Sequence, residues 1–368
     1  MKPSEGVEKI FNTNFKKVET VPKLWSLEQD LDSVLQQTAH LWLHLKGARL
    51  FVTGGTGFIG CWILESLRRA DHWFNLGIQA TILTRNPAGF HRKAPHLFDY
   101  PGFHFITGDI CNFSTPLGDF SHIIHAATEA SARLNVTDPR RMFDSVVLGT
   151  RRVLDLAVEK AVDRVLFLSS GAIYGQQPWE MGQVAEDWNG SPNCTDTRSA
   201  YAEGKRAAEV LCAICKMQYG TKITIARIFS LLGPYLSLDI HFAAGNFIRD
   251  AIQGKPVIVN GNGLAIRSYL YASDLVVWLW HMLVLAEPGK PYNVGSDESV
   301  SIRGLAERIS LVLGKGEYQV RGAQDAGWNP GRYVPDVQLI GRDLGLRKTV
   351  SLDEAILRTA LWHGWKKK

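Results

Sequence analysis

Apolar residues in this chain come in short unbroken runs separated by stretches with helical spacing. The runs are Leu50–Thr53, Ala80–Thr84, Phe103–Thr107, His122–Ala126, Val165–Ser169 and Ile223–Ile228. Short continuous runs bounded by turn residues predict strands buried on both faces. Between them, Phe58–Arg69, Met142–Lys160 and Ala200–Tyr219 carry their apolar positions at helical spacing. This alternation predicts an α/β fold with a doubly wound parallel sheet. Upstream, Leu31, Val34, Leu35, Leu41 and Leu43 predict a helix over Asp30–Leu45, in an N-terminal extension of residues 1–47. That helix can pack on the core, serve a contact between copies, or do neither. After Gly233-Pro234 the rhythm loosens. Asn246–Gln253, Leu275–Leu285 and Ile302–Leu313 read as helices, Gly261-Asn262-Gly263 as a turn and Pro291–Gly295 as a buried strand. The division expected is 1–47, a main domain over 48–235, and a smaller C-terminal α/β lobe over 236–368 that returns one strand to the main sheet.

Composition changes this picture little. The chain has 368 residues, 45% apolar and 21% charged, which suits one large domain with a smaller one. The net charge of +5 includes the terminal Lys366-Lys367-Lys368, read as a solvated tail rather than a nucleic-acid arm. A mild positive balance suits an anionic small substrate. The cysteines Cys61, Cys111, Cys194, Cys212 and Cys215 form no regular framework, which argues against a secreted disulfide protein. Cys212 and Cys215 fall inside a helical pattern with no second pair for zinc, so they read as buried thiols and no metal site is expected. There is no apolar run of membrane-spanning length and no signal-peptide pattern. The expectation is a soluble cytoplasmic protein without nucleic-acid or membrane partners.

The candidate chemistry starts at Leu50–Gly60, a strand that enters a glycine-rich turn and then a helix. Glycines at 54, 57 and 60 let the backbone turn tightly beside a pyrophosphate, and the helix start at Phe58 and Ile59 presents N–H groups to it. The strand before and the helix after make this a dinucleotide loop, with Thr53 at its entry, in a domain of Rossmann type. An acid is expected at the end of the second strand to hold the ribose of NAD. The chain has Thr84-Arg85-Asn86 there, and Arg85 suits a 2′-phosphate, a slight lean to NADP over NAD. Asp109, followed by Ile110, can accept from the adenine amine, and Ala126 and Ala127 are small enough for a cofactor to lie against the backbone. His125 reads as a packed strand residue. Tyr201 and Lys205, four apart on a helix, share a face. A nearby ammonium lowers a phenol's pKa and makes Tyr201 a usable proton acceptor.

The chain resembles the extended short-chain dehydrogenases/reductases, in particular the nucleotide-sugar epimerase/dehydratase branch, over about residues 48–345. The likeness rests on Thr53-Gly54-x-x-Gly57-x-x-Gly60, Gly108-Asp109, His125-Ala126-Ala127, Ser169–Gly175, Tyr201-x-x-x-Lys205, Ala226–Phe229, and Arg267-Ser268-Tyr269 leading to Asp274. Tyr201–Glu209 is most similar to UDP-glucuronate decarboxylases. The resemblance implies that Tyr201 removes a sugar hydroxyl proton as NAD(P) takes the hydride, and that Lys205 binds the nicotinamide ribose. It implies that Ser170 bonds the same sugar oxygen and that Arg267 holds the diphosphate of a nucleotide-diphosphate sugar. Asn246 and Arg332 are implied as further substrate contacts. A homodimer paired through Met142–Lys160 and Ala200–Tyr219 is also implied.

Four positions depart from the family's pattern. Where dehydratases and decarboxylases carry Glu and dehydratases often an Asp, this chain has Ala172 and Gly171. Expelling a C6 hydroxyl needs an extra acid and base, so the departure tilts the reading to C4 epimerisation unless Glu129, Glu186 or Glu203 stands in. Ser230 and Val146 replace the usual asparagines. A 4,6-dehydratase or decarboxylase, an NADPH-dependent keto-sugar reductase and a non-catalytic nucleotide-binding protein remain as alternatives.

Overall fold

The structure, a computed structural model, describes residues 25–128, 132–239, 243–314, 317–322 and 331–366. Glu129, the last two lysines of the tail and most of the 1–47 extension lie outside them. The six expected strands are β1 Arg49–Thr53, β2 Gln79–Thr84, β3 Phe103–Thr107, β4 His122–His125, β5 Arg164–Ser170 and β6 Ile223–Ile228. Beyond β6, β7 Leu231–Leu232 pairs with β10 Leu270–Tyr271, and β8 Val257–Val259 with β13 Tyr318–Val320. There β9 Ile266–Ser268 lies between β12 Ser299–Ser301 and β14 Arg332–Tyr333. The expected returning strand is β11 Pro291–Val294, parallel to β6. The main sheet runs β11-β6-β5-β4-β1-β2-β3 with every pairing parallel. This is the Rossmann-like doubly wound order, flanked by helices.

The helix after the glycine loop runs Phe58–Phe74 and buries Cys61 through Leu67 as a block. The Ala200–Tyr219 helix ends at Gly220 in the left-handed conformation. The helix expected from Met142 starts earlier, at Pro139, because Asp138 caps it through Arg141 N and proline is tolerated in the first turn.

The N-terminal pattern is not one helix. Helix Leu27–Thr38 stops, and a 3-10 turn follows at Trp42–Leu45. Thr38 Oγ1 donates back to Val34 O at 2.6 Å and accepts from Trp42 Nε1 at 3.0 Å, which ties off the turn. Of the roles open to this segment, core packing is the one observed. Leu31, Val34 and Leu35 are buried, and the Trp42 ring lies 4.9 Å from that of Trp280. Asp30 accepts from Tyr271 Oη at 2.6 Å and pairs with Arg358 at 2.6 Å. The largest apolar cluster therefore runs from Leu31 to Ala360 and joins this segment, one face of the sheet and the elements that follow β6. Cys212 and Cys215 are buried free thiols. Among the described residues no helix is long and apolar enough to cross a membrane.

Candidate functional site

The sheet order reverses at β1, which has β2 on one side and β4 on the other, and a crevice opens there beyond the strand ends. Gly54 sits at φ 72°, and a Cβ there would stand 2.5 Å from the backbone carbon of Ala126. The loop and the end of β4 therefore touch main chain to main chain. Gly57 begins the Phe58–Phe74 helix, and no side chain caps it. Its first turn instead faces a cavity of about 750 Å³, lined by Gly54, Gly57 and Phe58 on one side and Arg85, Asp109 and Ile110 on the other. A pyrophosphate accepting from that turn fits this cradle, which no side chain fills. Asp109 spends one oxygen on Cys111 N at 3.0 Å. Lys93, which sequence reasoning missed, lines the same cavity and donates to Thr56 O at 3.0 Å.

Phe58, Ile59, Ala126, Thr128 and Leu236 also line a second cavity of about 760 Å³, so the two form one cleft. Ser170, Tyr201, Lys205, Arg267 and Tyr333 line this second part. Ser170 ends β5, and its Oγ accepts from Ala172 N at 3.2 Å. Tyr201 opens the Ala200–Tyr219 helix, and its backbone N–H is held by Asn135 Oδ1 at 3.0 Å. Asn135 also donates to Arg198 O at 2.6 Å, so it fixes the entry to that helix. Nothing in the polar segment around Asn135 marks it beforehand.

The expected effect of Lys205 on Tyr201 needs correction. Lys205 Nζ donates to Leu168 O at 2.6 Å and to Thr128 Oγ1 at 2.8 Å, and it lies 4.8 Å over the Phe167 ring. Burial pushes this ammonium down to about 7. The Tyr201 phenol is held above its usual value by burial, and a hydrogen bond with Ser170 pulls it partly back. In the protein alone, Ser170 rather than Lys205 favours the phenolate.

His125 is a strut, as expected. Thr150 Oγ1 donates to Val146 O at 2.7 Å, so it accepts from His125 Nε2 at 3.1 Å. Thr53 Oγ1 accepts from Ala127 N at 3.2 Å, so it donates to Nδ1 at 2.7 Å. A neutral ring satisfies all four groups, and burial followed by the Lys205 charge pushes His125 down to about 3. Between pH 6.5 and 3 the unfolded chain takes a proton that the folded chain refuses, so stability falls as pH drops through that window. The share of His125 is about 2 kcal/mol between pH 7 and 5. His125→Gln is expected to be less stable at pH 7 but to lose less on going to pH 5. Urea midpoints at the two pH values check this, and an undiminished drop in the variant refutes it.

The remaining expected residues separate. Asn246 lines a neighbouring cavity of about 490 Å³ with Arg321 and Asn262, which meets the main cleft at Ala243 and Ile302. Arg332 does not line the cleft. Its guanidinium lies 5.0 Å over the Trp179 ring and donates to Gly182 O at 3.3 Å, while the next residue, Tyr333, turns inward. Glu186 accepts from Asn293 N at 2.7 Å and Glu203 pairs with Arg206 at 3.5 Å, so neither reaches the cleft. A Cβ on Gly171 would meet the Phe229 ring at 2.5 to 2.7 Å. That ring occupies the room a carboxylate would need. Val146, at the departed asparagine position, packs against Gly204 of the tyrosine helix instead.

The sequence matches the NAD dependent epimerase/dehydratase family over residues 50–295. UDP-glucuronic acid decarboxylase 1 of Danio rerio is 31% identical over 314 residues, covering 84% of this chain and 71% of the relative. The dTDP-glucose 4,6-dehydratase DesIV of Streptomyces venezuelae, solved with NAD, has a TM-score of 0.73 at 25% identity, over 86% of this chain and 96% of that one. The UDP-glucose 4-epimerase of Thermus thermophilus, in complex with NAD, has a TM-score of 0.71 at 26% identity, over 86% and 99%. A match that takes in both the glycine loop and the tyrosine helix is more than shared architecture, and the chain belongs to the NAD-dependent epimerase/dehydratase family of nucleotide-sugar enzymes.

Proposed function

We propose that the protein is a redox-neutral nucleotide-sugar C4 epimerase. The observation that carries this is the charge inventory of the cleft around Ser170 and Tyr201. Among its described lining residues, Lys205 and Arg267 are charged and no carboxylate is present. A 4,6-dehydration needs a second acid and base on the sugar. A uronic-acid substrate needs a cation for its C6 carboxylate. Arg267 is reserved for the substrate diphosphate, to which a guanidinium is matched, and Lys205 for the nicotinamide ribose. A neutral hexose is what remains. Asn246 and the cavity it lines would receive the nucleotide base beyond the diphosphate.

The family's cofactor is NAD, the alternative that Arg85 alone did not favour. Bound NAD would supply the reversible two-electron acceptor for C4. Thr53, Gly54, Gly57, Phe58, Ile59 and Gly60 would hold its pyrophosphate, and Arg85, Asp109 and Ile110 its adenosine. Ala126 and Ala127 would leave room for the nicotinamide half. Tyr201 would take the C4 hydroxyl proton, with Ser170 bonded to the same oxygen. A second reading, decarboxylation of a nucleotide-linked uronic acid, draws support from the curated relatives.

A panel of UDP-, dTDP-, CDP- and GDP-sugars, read by chromatography and mass spectrometry, tests the reading. The expected product has unchanged mass, altered retention and no net change in nicotinamide absorbance. Loss of carbon dioxide transfers the assignment to the second reading. Loss of water or stoichiometric NADPH consumption overturns both, and inertness toward every sugar points to a non-catalytic binding protein.

We also propose a homodimer. Leu148 of the Pro139–Glu159 helix and Val210, Ile214 and Met217 of the Ala200–Tyr219 helix are exposed on two helices packed against each other. An exposed apolar patch of this kind suits a second copy of itself. Met217→Asp combined with Val210→Asp is expected to yield a monomer in analytical ultracentrifugation. A wild-type protein already monomeric at micromolar concentration refutes the pairing.

A further inference from the structure

A cation reaches the glycine loop from a helix outside the glycine motif. Lys93 is the last residue of the helix Pro87–Lys93, whose cap Asn86 accepts from Gly89 N at 2.8 Å. Its Nζ donates to Thr56 O, inside the loop, at 3.0 Å and lies 5.6 Å over the Tyr235 ring. An ammonium has more donors than that one bond uses. Among the described residues no carboxylate pairs with Lys93. Tyr235 follows Gly233-Pro234 and lines the same cavity as Lys93. Its φ of 70° puts it, with Asn75 and Ala161, among three described non-glycine residues in the positive range, where a bulky side chain is disfavoured. Three contacts hold it there. Its Oη donates to Glu65 at 2.5 Å, Trp62 Nε1 donates to Pro234 O at 2.9 Å, and the Trp362 ring lies 4.7 Å from its own. Glu65 is buried on the helix that leaves the glycine loop, and the oxygen that takes Tyr235 also accepts from His96 Nε2 at 2.7 Å. A residue kept in a disfavoured conformation is one whose place the surroundings over-determine. What this ring carries on its face is Lys93.

We propose that Lys93 binds the pyrophosphate of NAD and that Tyr235, tied to Glu65, is the residue that positions it. Thr56 immediately precedes Gly57, which begins the helix Phe58–Phe74, so the ammonium is anchored beside the turn whose N–H groups would hold the same anion. That turn offers only partial positive charge, whereas each phosphate of the pyrophosphate carries a full negative one. A lysine at the loop supplies a charge-assisted bond that the glycines cannot. NAD has no phosphate outside its pyrophosphate, which separates this role from that of Arg85 at the adenosine end. The Tyr235–Glu65 bond links the helix that starts at the loop to the turn after Pro234, and it holds the ring under Nζ. Without that bond, Lys93 keeps its charge and loses its fixed place. This role requires NAD in the cleft and holds whichever sugar reaction follows.

The test is the rate at which NAD leaves the NAD-loaded protein, with released NAD trapped by excess alcohol dehydrogenase and ethanol and followed by its absorbance on reduction. Lys93→Met is expected to release NAD about tenfold faster than wild type, and Lys93→Arg, which keeps the charge, within about threefold. Raising the salt concentration should speed release from wild type more than from Lys93→Met. Tyr235→Phe keeps the ring and the backbone strain but loses Glu65, and should release about fivefold faster. The double variant should be no faster than Lys93→Met alone, because Tyr235 acts through Lys93. Release from Lys93→Met within about twofold of wild type overturns the proposal. Single effects that multiply in the double variant overturn the coupling and leave Tyr235 a packing residue. A loss seen with NADP-loaded protein and not with NAD overturns the pyrophosphate assignment and moves Lys93 to the 2′-phosphate. If the wild type holds no NAD, the cofactor assignment fails and this proposal with it, whereas a sugar reaction other than epimerisation leaves it standing.

Discussion

Replacing Tyr201 with phenylalanine is expected to lower kcat about a thousandfold while leaving NAD in place. The ring stays at the start of the Ala200–Tyr219 helix, whose backbone N–H is held by Asn135, and Lys205 keeps its bonds to Leu168 and Thr128. Only the phenolic oxygen goes. A positioned base contributes roughly a hundred- to ten-thousandfold, and among the described residues no carboxylate or histidine lines this part of the cleft to replace it. Because burial raises the Tyr201 phenol, the wild-type rate should climb as pH rises from neutrality, and the residual rate of the variant should not. Product analysis across pH, with NAD released by denaturation and measured by absorbance, decides it. Full activity in the variant removes Tyr201 from the chemistry.

What the sequence made legible was local. Strand runs, the glycine loop and the Tyr201/Lys205 spacing are patterns within one element or across one turn, and the backbone period places them. The short helices Pro87–Lys93 and Pro95–Phe98 are not among the stretches expected from apolar spacing; their prolines stand in the first turn, where the missing N–H costs nothing. Asn135, Thr128 and Tyr333 reach the site from three separate segments. No periodicity links them to Tyr201; only the way the sheet and lobe close brings them there. Gly171 was legible as a missing carboxylate but not as a filled space, since Phe229 lies on the neighbouring strand end. The Lys205 effect was misjudged for the same reason: spacing puts the two side chains on one face, but tertiary acceptors on β5 and after β4 decide where the ammonium points. Gly171 and Ala172 already tilt the reading toward epimerisation in the sequence, and the proposed function adds the charge inventory of the described cleft lining, which exists only once the cleft is assembled.

Gly54→Ala should abolish cofactor retention, reducing bound NAD in the purified protein at least tenfold. Two effects combine there. At φ 72° a residue with a Cβ costs about 1–2 kcal/mol. The new methyl would also stand 2.5 Å from Ala126 C and 2.6 Å from Ala127 N, both main-chain atoms held by hydrogen bonds to Thr53. Neither side can yield cheaply. Relief must come from opening the gap between β1 and the end of β4, where a pyrophosphate would pass. Gly77 separates the two effects. It has φ 66° with nothing within 4 Å of a Cβ, so Gly77→Ala carries the backbone cost alone. That variant is expected to lose about 1–2 kcal/mol of stability and to keep its NAD. Equal NAD content in the two variants would place the pyrophosphate elsewhere and detach the glycine loop from the cofactor.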